Sequence, residues 1–495
     1  MKKTVLVMVS LLVLCATTQA QTVHGLIYKD TLGIQVVKIW GTHQERGYAL
    51  GYLTGAKITD IIKNYIKPQF GAYYATARTT IIQGNDITIP QIYKDEAQAI
   101  IDGMNASGTN PSGFDVTDIL VSNSFLDIEN VWGKLDGPGC SSLMSWNTAT
   151  TGTGLNGKSV VSRHLDWNIS PYLYNNNTII VHFPWESSES KWLLVGFSGM
   201  MGVLSGVNPD FGAFQHQLTD MTSLGIQNKH YLPIWLAIRN GLESHDYNGD
   251  GQRNVQDIRS ALDDCPNGFA AGFIVTSLAK SSPVDSLVAM VAELAPVSPT
   301  KTFRYNDYPD SIPNDNLYAS NYQIKRNNAR HYDSRYLNVV NHIGNGTHIG
   351  LDTNWNIMKN YSVQSINLQF IEYSPEADVL RLAVYANNHP AYMNNPVQFS
   401  LSELFDNPSV GLPQHNRDRV VVIYPDPARE SINLAGIFNG IYRVEISNLD
   451  GTVVHSTRAE FPGTKIPVSS LPAGFYTIRV TGNDFLYTGK FVRVL

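Results

Sequence analysis

The chain has 495 residues, 43% of them hydrophobic and 16% charged, with a formal net charge of −6. At roughly 100–200 residues per domain, that length admits two to four domains. The composition excludes a wholly disordered chain, and the acidic balance excludes a broad basic nucleic-acid footprint.

In chain order, the first element is a leader. Lys2 and Lys3 precede an apolar run from Val5 to Leu14 and small residues from Ala16 to Ala20. The run is too short to span a bilayer, so residues 1–20 read as a cleaved secretory signal. A short strand is expected around Ile34 to Ile39. Helical spacing then covers 44–66, 92–106 and 116–128, which makes 21–139 mostly helical. At Gly137-Pro138-Gly139 the texture changes. Cys140 opens a strand, a turn-rich stretch follows, and a second strand runs into Arg163 to Asp166, as in a hairpin. Further strands are expected near 178–183, 192–197, 362–373 and 378–385. Helices are expected near 229–242, 255–263 and 284–294. Helices beside packed strands predict a layered α+β domain over 140–405. Residues 406–418 are polar with Pro and Gly, as a linker is. From 419 to 495 the chain alternates at period two and predicts a small all-β sandwich.

Cys15 leaves with the leader, so the mature chain keeps Cys140 and Cys265. Two cysteines in an exported chain of this size are no disulfide scaffold. Either they pair, or at least one thiol is kept for its chemistry. If the chain is cut before Cys140, that residue gains an α-amine with a pKa near ~8, able to take the thiol proton. Arg163 can lower a thiol pKa electrostatically, and Asp166 can orient an α-ammonium. Strict alternation puts residues three apart on opposite strand faces. Both can reach the Cys140 end only through a bulge or a strand end near Leu165.

Cys140-Ser141-Ser142, followed by Ser162-Arg163-His164-Leu165-Asp166-Trp167, resembles the signature of the N-terminal-nucleophile amidases. The branch is that of the penicillin acyltransferases, acid ceramidase and the choloylglycine hydrolases. Other segments fit in order. They are Gly41-Thr42 through Gly47 and Gly51, Gly206-Val207-Asn208 through Gln217, Ser320-Asn321-Tyr322, Asp333-Ser334-Arg335, and Leu401 to Phe405. The resemblance implies an αββα Ntn-hydrolase sandwich that cuts itself between Gly139 and Cys140. It implies Cys140 as nucleophile, Arg163 and Asp166 as its tuning groups, Asn321 as an oxyanion-stabilising amide, and Arg335 completing the polar site. Gln217 stands where the family often has Asn or Glu, so its role stays open. His164 replaces the usual Asn and should face away from Arg163. The implied reaction is hydrolysis of a linear C–N amide in an N-acyl substrate through an acyl-enzyme. Acyl transfer to an amine, or a non-enzymatic surface binding protein on the same fold, are the alternatives.

Two signals stand apart. Asp246, Asn248, Asp250, Gln252 and Asp257 place oxygen donors at calcium-loop spacing, with Gly251 at the sharp turn. Alternate donors converge because such a loop curls around its ion. The closing Asp resembles the dockerin loop, but a single loop does not predict docking to a cohesin. Structural Ca2+ is expected, and no organic cofactor. Finally, Tyr424-Pro425-Asp426-Pro427-Ala428, Leu449-Asp450-Gly451, Leu471 to Tyr476 and Lys490-Phe491-Val492 resemble the C-terminal sorting domain of type IX secretion cargo. That implies the type IX machinery as partner, an immunoglobulin-like sandwich, and passage through the periplasm to the cell surface or beyond.

Overall fold

The computed structural model describes residues 21–132, 139–218, 224–282, 287–310, 312–329, 333–408, 422–435, 440–448, 452–461, 464–482 and 485–494. The leader 1–20, Gly137-Pro138, residues 409–418 of the linker and the Leu449-Asp450-Gly451 turn lie outside the described residues. The chain divides into two compact units, Met1–Asn407 and Pro408–Leu495.

Among the described residues, the first unit is α+β with two large sheets. One has nine strands. From its edge these are Gly25–Thr31, Ile34–Gly41, Asn177–Pro184, Trp192–Phe197, Ser205–Val207, Phe211–Gln217, Phe273–Ala279, Ala289–Leu294 and Lys301–Arg304. Its pairing of Ile34–Gly41 with Asn177–Pro184 is parallel. The other has six strands, in the order Asn316–Ala319, Cys140–Ser145, Val160–Asp166, Asn367–Ser374, Val379–Val384 and Val397–Ser400.

Strand alternation turns one face of each sheet inward. Val36, Val181 and Ile274 of the nine-stranded sheet share a core with Met144, Val161 and Ile371 of the six-stranded one. The opposite residues of the larger sheet, Val37, Ile180 and Val275, share a second core with Ile58, Ile100 and Ile238 of helices. Leu143 and Phe370 of the smaller sheet share a third with Val339 and Trp355 of helices Ser334–His342 and Leu351–Tyr361. The layers therefore run helices, sheet, sheet, helices.

The helix His43–Ile61 starts at a capping box between Thr42 and Glu45. It packs on Gln91–Ala106 through glycines at four-residue spacing. A Cβ on Gly51 would lie 1.9 Å from Ile100 O, and one on Gly103 would lie 2.1 Å from Tyr48 O. Only glycine allows the two backbones to come this close.

Several expectations need correction. The helix expected over 44–66 ends as a π-helical turn, Ile62–Ile66. The one expected over 116–128 is two helices, Val116–Asn123 and Phe125–Val131, parted at Ser124. The helix expected at 284–294 is not one: Ala289–Leu294 is a strand between Phe273–Ala279 and Lys301–Arg304. All six of its residues are buried. A strand covered on both faces shows no alternation, so periodicity cannot separate it from a helix.

Among the described residues, the second unit is all-β. Ile432, Val444, Ile446, Ile478, Val480 and Phe491 form its core, between a three-stranded and a four-stranded sheet.

Candidate active site

Cys140 begins its strand directly opposite Leu165. Arg163, two residues before Leu165, lies on the same face, and its Nη2 is 3.5 Å from Cys140 Sγ. Asp166 reaches the same place because it is the last residue of its strand. There the pairing with Asn367–Ser374 also slips, between Asn367 and Gln369. A strand end and an irregularity, either of which would meet the three-residue spacing, are both present. His164 points the other way, with Nδ1 2.8 Å from Ser362 O and its ring edge-on to Phe370.

Around the Gly139–Cys140 peptide the polar groups converge. Asp166 N–H donates to Gly139 O at 2.9 Å. Cys140 N–H donates to Asn321 Oδ1 at 3.0 Å. Arg335 Nη1 donates to Cys140 O at 3.1 Å, and Nη2 donates to Asn321 Oδ1 at 2.8 Å. Asp333 accepts the N–H of Tyr336, capping the Ser334–His342 helix. Its other oxygen takes Arg335 Nη2 at 2.7 Å. The helix start thus aims the guanidinium. Asn367 Nδ2 donates to Asp166 Oδ1 at 2.9 Å, and Arg335 Nη1 stands 3.5 Å from Asp166 Oδ2.

Two expectations shift here. A guanidinium only donates, so the Asn321 atom facing Arg335 and Cys140 is the carbonyl oxygen. The Asn321 NH2, expected to face a developing oxyanion, instead donates to Gln217 O. Gln217 joins the site through its backbone. Its side-chain Oε1 is buried without a hydrogen-bond partner.

Cys140, Arg163, Asp166 and Asn321 are at most 1% exposed. Burial pushes the Cys140 thiol up, and the Arg163 charge works against that push. Burial lifts Asp166 to about 7, opposed by Arg335 and Asn367. Arg163 Nη2 also donates to Gln215 O at 2.8 Å, but its Nε and Nη1 have no hydrogen-bond partner. A buried guanidinium without a bonded carboxylate is costly. The anions near enough to compensate it are a thiolate at Cys140 and the Asp166 carboxylate. Cys265 is also free and buried. Its Sγ lies against Ala261 O, and burial raises its pKa to about 11.

An apolar cleft lies against Trp167; Cys140 and the groups bonded to it are not among its walls. Ile58, Ile62, Tyr65, Trp167, Phe197 and Trp235 are among its walls. Trp167 directly follows Asp166, and its Nε1 donates to Tyr65 OH at 2.5 Å. Trp235 Nε1 donates to Gln215 Oε1 at 3.2 Å. The π-helical turn sets Ile62, Tyr65 and Ile66 along one wall.

Sequence reasoning missed Gln215, Asp333 and Asn367. The signal for Asp333 was present, since Asp-Ser-Arg is a helix-capping start. It also missed a group of His43, Glu189 and Glu243 whose ligand atoms lie within 4.8 Å of one another. Arg46 already pairs with Glu189 at 2.8 Å, and Arg239 with Glu243 at 2.8 Å. These cations make the group an ion-pair network that ties the His43–Ile61 helix to Ile234–Glu243.

In the 246–257 loop the side-chain oxygens accept the loop's own N–H groups. Asp246 takes Gly249 and Gly251, Asn248 takes Asp250, and Asp250 takes Gln252. Asp257 takes Tyr247 and Asn254 and caps the Val255–Asp263 helix. Among the described residues, the loop carboxylates do not meet as closely as the His43 group does. The donors are nonetheless all oxygen, the type calcium takes.

Residues 422–494 match the secretion system C-terminal sorting domain. The protein is therefore type IX secretion cargo, carried through the periplasm to the outer-membrane surface or beyond. No helix among the described residues is long and apolar enough to cross a membrane. Among curated proteins the chain is similar to Protein dcd1B of Dictyostelium discoideum, 21% identical over 243 residues. That alignment covers 45% of this chain and 46% of the relative, so the chain spans less than half the relative's length.

Proposed function

We propose that the first unit is a self-processing cysteine amidase with the N-terminal-nucleophile fold, acting on a linear amide of an N-acyl substrate. The observation that carries this reading is the convergence on one peptide. Cys140 Sγ lies beside Arg163, Gly139 O accepts the Asp166 N–H, and Asn321 and Arg335 hold Cys140. A backbone N–H on the Gly139 carbonyl is placed to stabilise the oxyanion that forms when the thiolate attacks that carbon. The Gly139–Cys140 C–N bond breaks as the C–S bond forms and the nitrogen takes a proton; water then hydrolyses the thioester, leaving a Gly139 carboxylate and a Cys140 with a free thiol and α-amine. That amine takes the thiol proton in turnover. The Cys140 thiolate attacks the substrate carbonyl carbon, and the amine product leaves with a proton. Water then hydrolyses the thioester and regenerates the thiol. The helix–sheet–sheet–helix layering supports the fold. The apolar cleft beside Trp167 supports an apolar acyl group, since such a wall binds by burial of hydrocarbon. The second unit's two small sheets support an immunoglobulin-like sandwich.

The test is direct. The purified chain should yield two fragments, one beginning at Cys140 on N-terminal sequencing, and Cys140→Ala should stay whole. Processed protein should release free acid from N-acyl amides of graded acyl length. Transfer of the acyl group to an added amine instead of water would make it an acyltransferase. No fragment starting at Cys140 and no turnover would leave a binding protein.

The 246–257 loop contributes no nucleophile or base, so its calcium would be structural. Chelation should lower the Tm with native-state mass action as the cause, and Asp250→Ala should abolish that sensitivity. Scanning calorimetry with and without chelator decides it.

A further inference from the structure

Asn321 follows the strand Asn316–Ala319 of the six-stranded sheet, and groups from the nine-stranded sheet hold the backbone on both sides of it. Before it, Arg304 Nη2 donates to Tyr318 O at 2.9 Å. His216 Nδ1 lies 3.2 Å from Ser320 O. Burial drives the His216 pKa down to about 3, so the ring is neutral, and the nitrogen facing a carbonyl carries its hydrogen.

After Asn321, three successive backbone N–H groups converge on one carboxylate. Ile324 and Lys325 donate to Glu293 Oε1 at 3.2 and 3.3 Å, and Arg326 donates to Oε2 at 2.7 Å. Glu293 and Arg304 meet at 3.3 Å, and Asp310 holds Arg304 at 2.8 Å. Glu293 and Arg304 are both 0% exposed. Neither is among the groups bonded to Cys140.

A buried ion pair is often no more stabilising than apolar packing of the same volume. It can, however, do what apolar side chains cannot, which is to fix a turn by its N–H groups through charge-assisted bonds. Successive N–H groups around an anion make such a nest. Here the anion is a side chain of the opposite sheet, and the turn it grips begins three residues after Asn321.

We propose that Glu293, backed by Arg304, is a positioning residue for Asn321. By clamping the 324–326 turn from the facing sheet, it sets the distance at which the Asn321 amide meets Cys140. This rests on the reading of Cys140 as nucleophile, and the test separates the two.

The full chain is compared with Glu293→Gln and Glu293→Ala. Glu293→Gln keeps one acceptor, and Arg304 keeps Asp310, so this variant folds even where Glu293→Ala does not. Processing rate, kcat and KM are measured well below the melting range, Tm is measured by scanning calorimetry, and the crystal structure of each folded variant is solved. For Glu293→Gln the expected result is a kcat and a processing rate roughly 100-fold lower, the scale of a ~1 Å misplacement. KM should stay within about threefold, the pattern of a lost transition-state contact. Asn321 Oδ1 should be withdrawn from its 3.0 Å contact with the Cys140 nitrogen. A lowered Tm with processing and kcat unchanged overturns the proposal, because the pair is then structural only. If the unaltered chain neither cuts itself nor turns over, the nucleophile reading fails. The Asn321 position in the Glu293→Gln crystal then still decides the clamp: unmoved, it overturns it.

Discussion

Arg163 is where charge and shape can be separated at the level of one residue. Its guanidinium opposes the upward push of burial on the Cys140 thiol. Arg163→Met keeps the stem and removes the charge. In processed protein the pH at which Cys140 is alkylated by iodoacetamide should rise by about one unit or more. Peptide mass spectrometry reads this free of Cys265, which is buried elsewhere. An unchanged labelling profile would mean that Arg163 does not tune the thiol. Much of this cluster was readable from residue order, because Cys140, Arg163, Asp166, Asn321 and Arg335 stand in segments that resemble one family in sequence. The orientation of Asn321 was not. Which end of an amide faces a neighbour depends on whether that neighbour can accept, and Arg335 stands 14 positions away in the chain. Asn367 and Gln215 were likewise invisible, since their contacts cross between strands distant in sequence.

Elements bring the ion-pair network into view. His43 opens its helix and is held between Glu96 at 2.5 Å and Glu189 at 2.7 Å. Burial works against its charge, yet the two carboxylates outweigh burial and lift its pKa to about 9. The folded state therefore binds a proton more tightly than the unfolded chain does. Its contribution is complete below pH ~6.5 and is lost as pH rises through about 9. Taking about 1.4 kcal/mol per unit, the loss is on the order of 3 kcal/mol. Urea titrations at pH 6, 8 and 9.5 should show that fall. His43→Gln should start less stable and lose less over the same window; parallel curves for the two proteins would contradict the assignment. Amphipathic helices were readable here, as the Gln91–Ala106 and Val255–Asp263 helices show. Ala289–Leu294 was misread because burial on both faces erases the period that distinguishes a strand.

For the whole molecule, the division into two units follows a polar segment that the sequence marks plainly. The sorting domain has its own core and no cysteine. A chain ending at Asn407 should keep whatever self-cleavage and amidase activity the full chain shows, since each unit buries its own apolar residues. In the native host it should stay in the periplasm, as cell fractionation would show. A soluble but inactive truncation would place part of the active site in the second unit. Truncated protein at the surface would mean that the export address lies elsewhere.

The parallel pairing of Ile34–Gly41 with Asn177–Pro184 takes on a second role if the proposed cleavage occurs. A cut before Cys140 turns one polypeptide into two, and this pairing then joins separate molecules. The glycine-packed helices go with the small fragment, and most of both sheets goes with the large one. Unfolding then includes dissociation, so reassembly slows with dilution. The lifetime of a protein so cut would be a matter of rates, set by the barrier to the first parting of those strands rather than by any equilibrium between folded and unfolded chains.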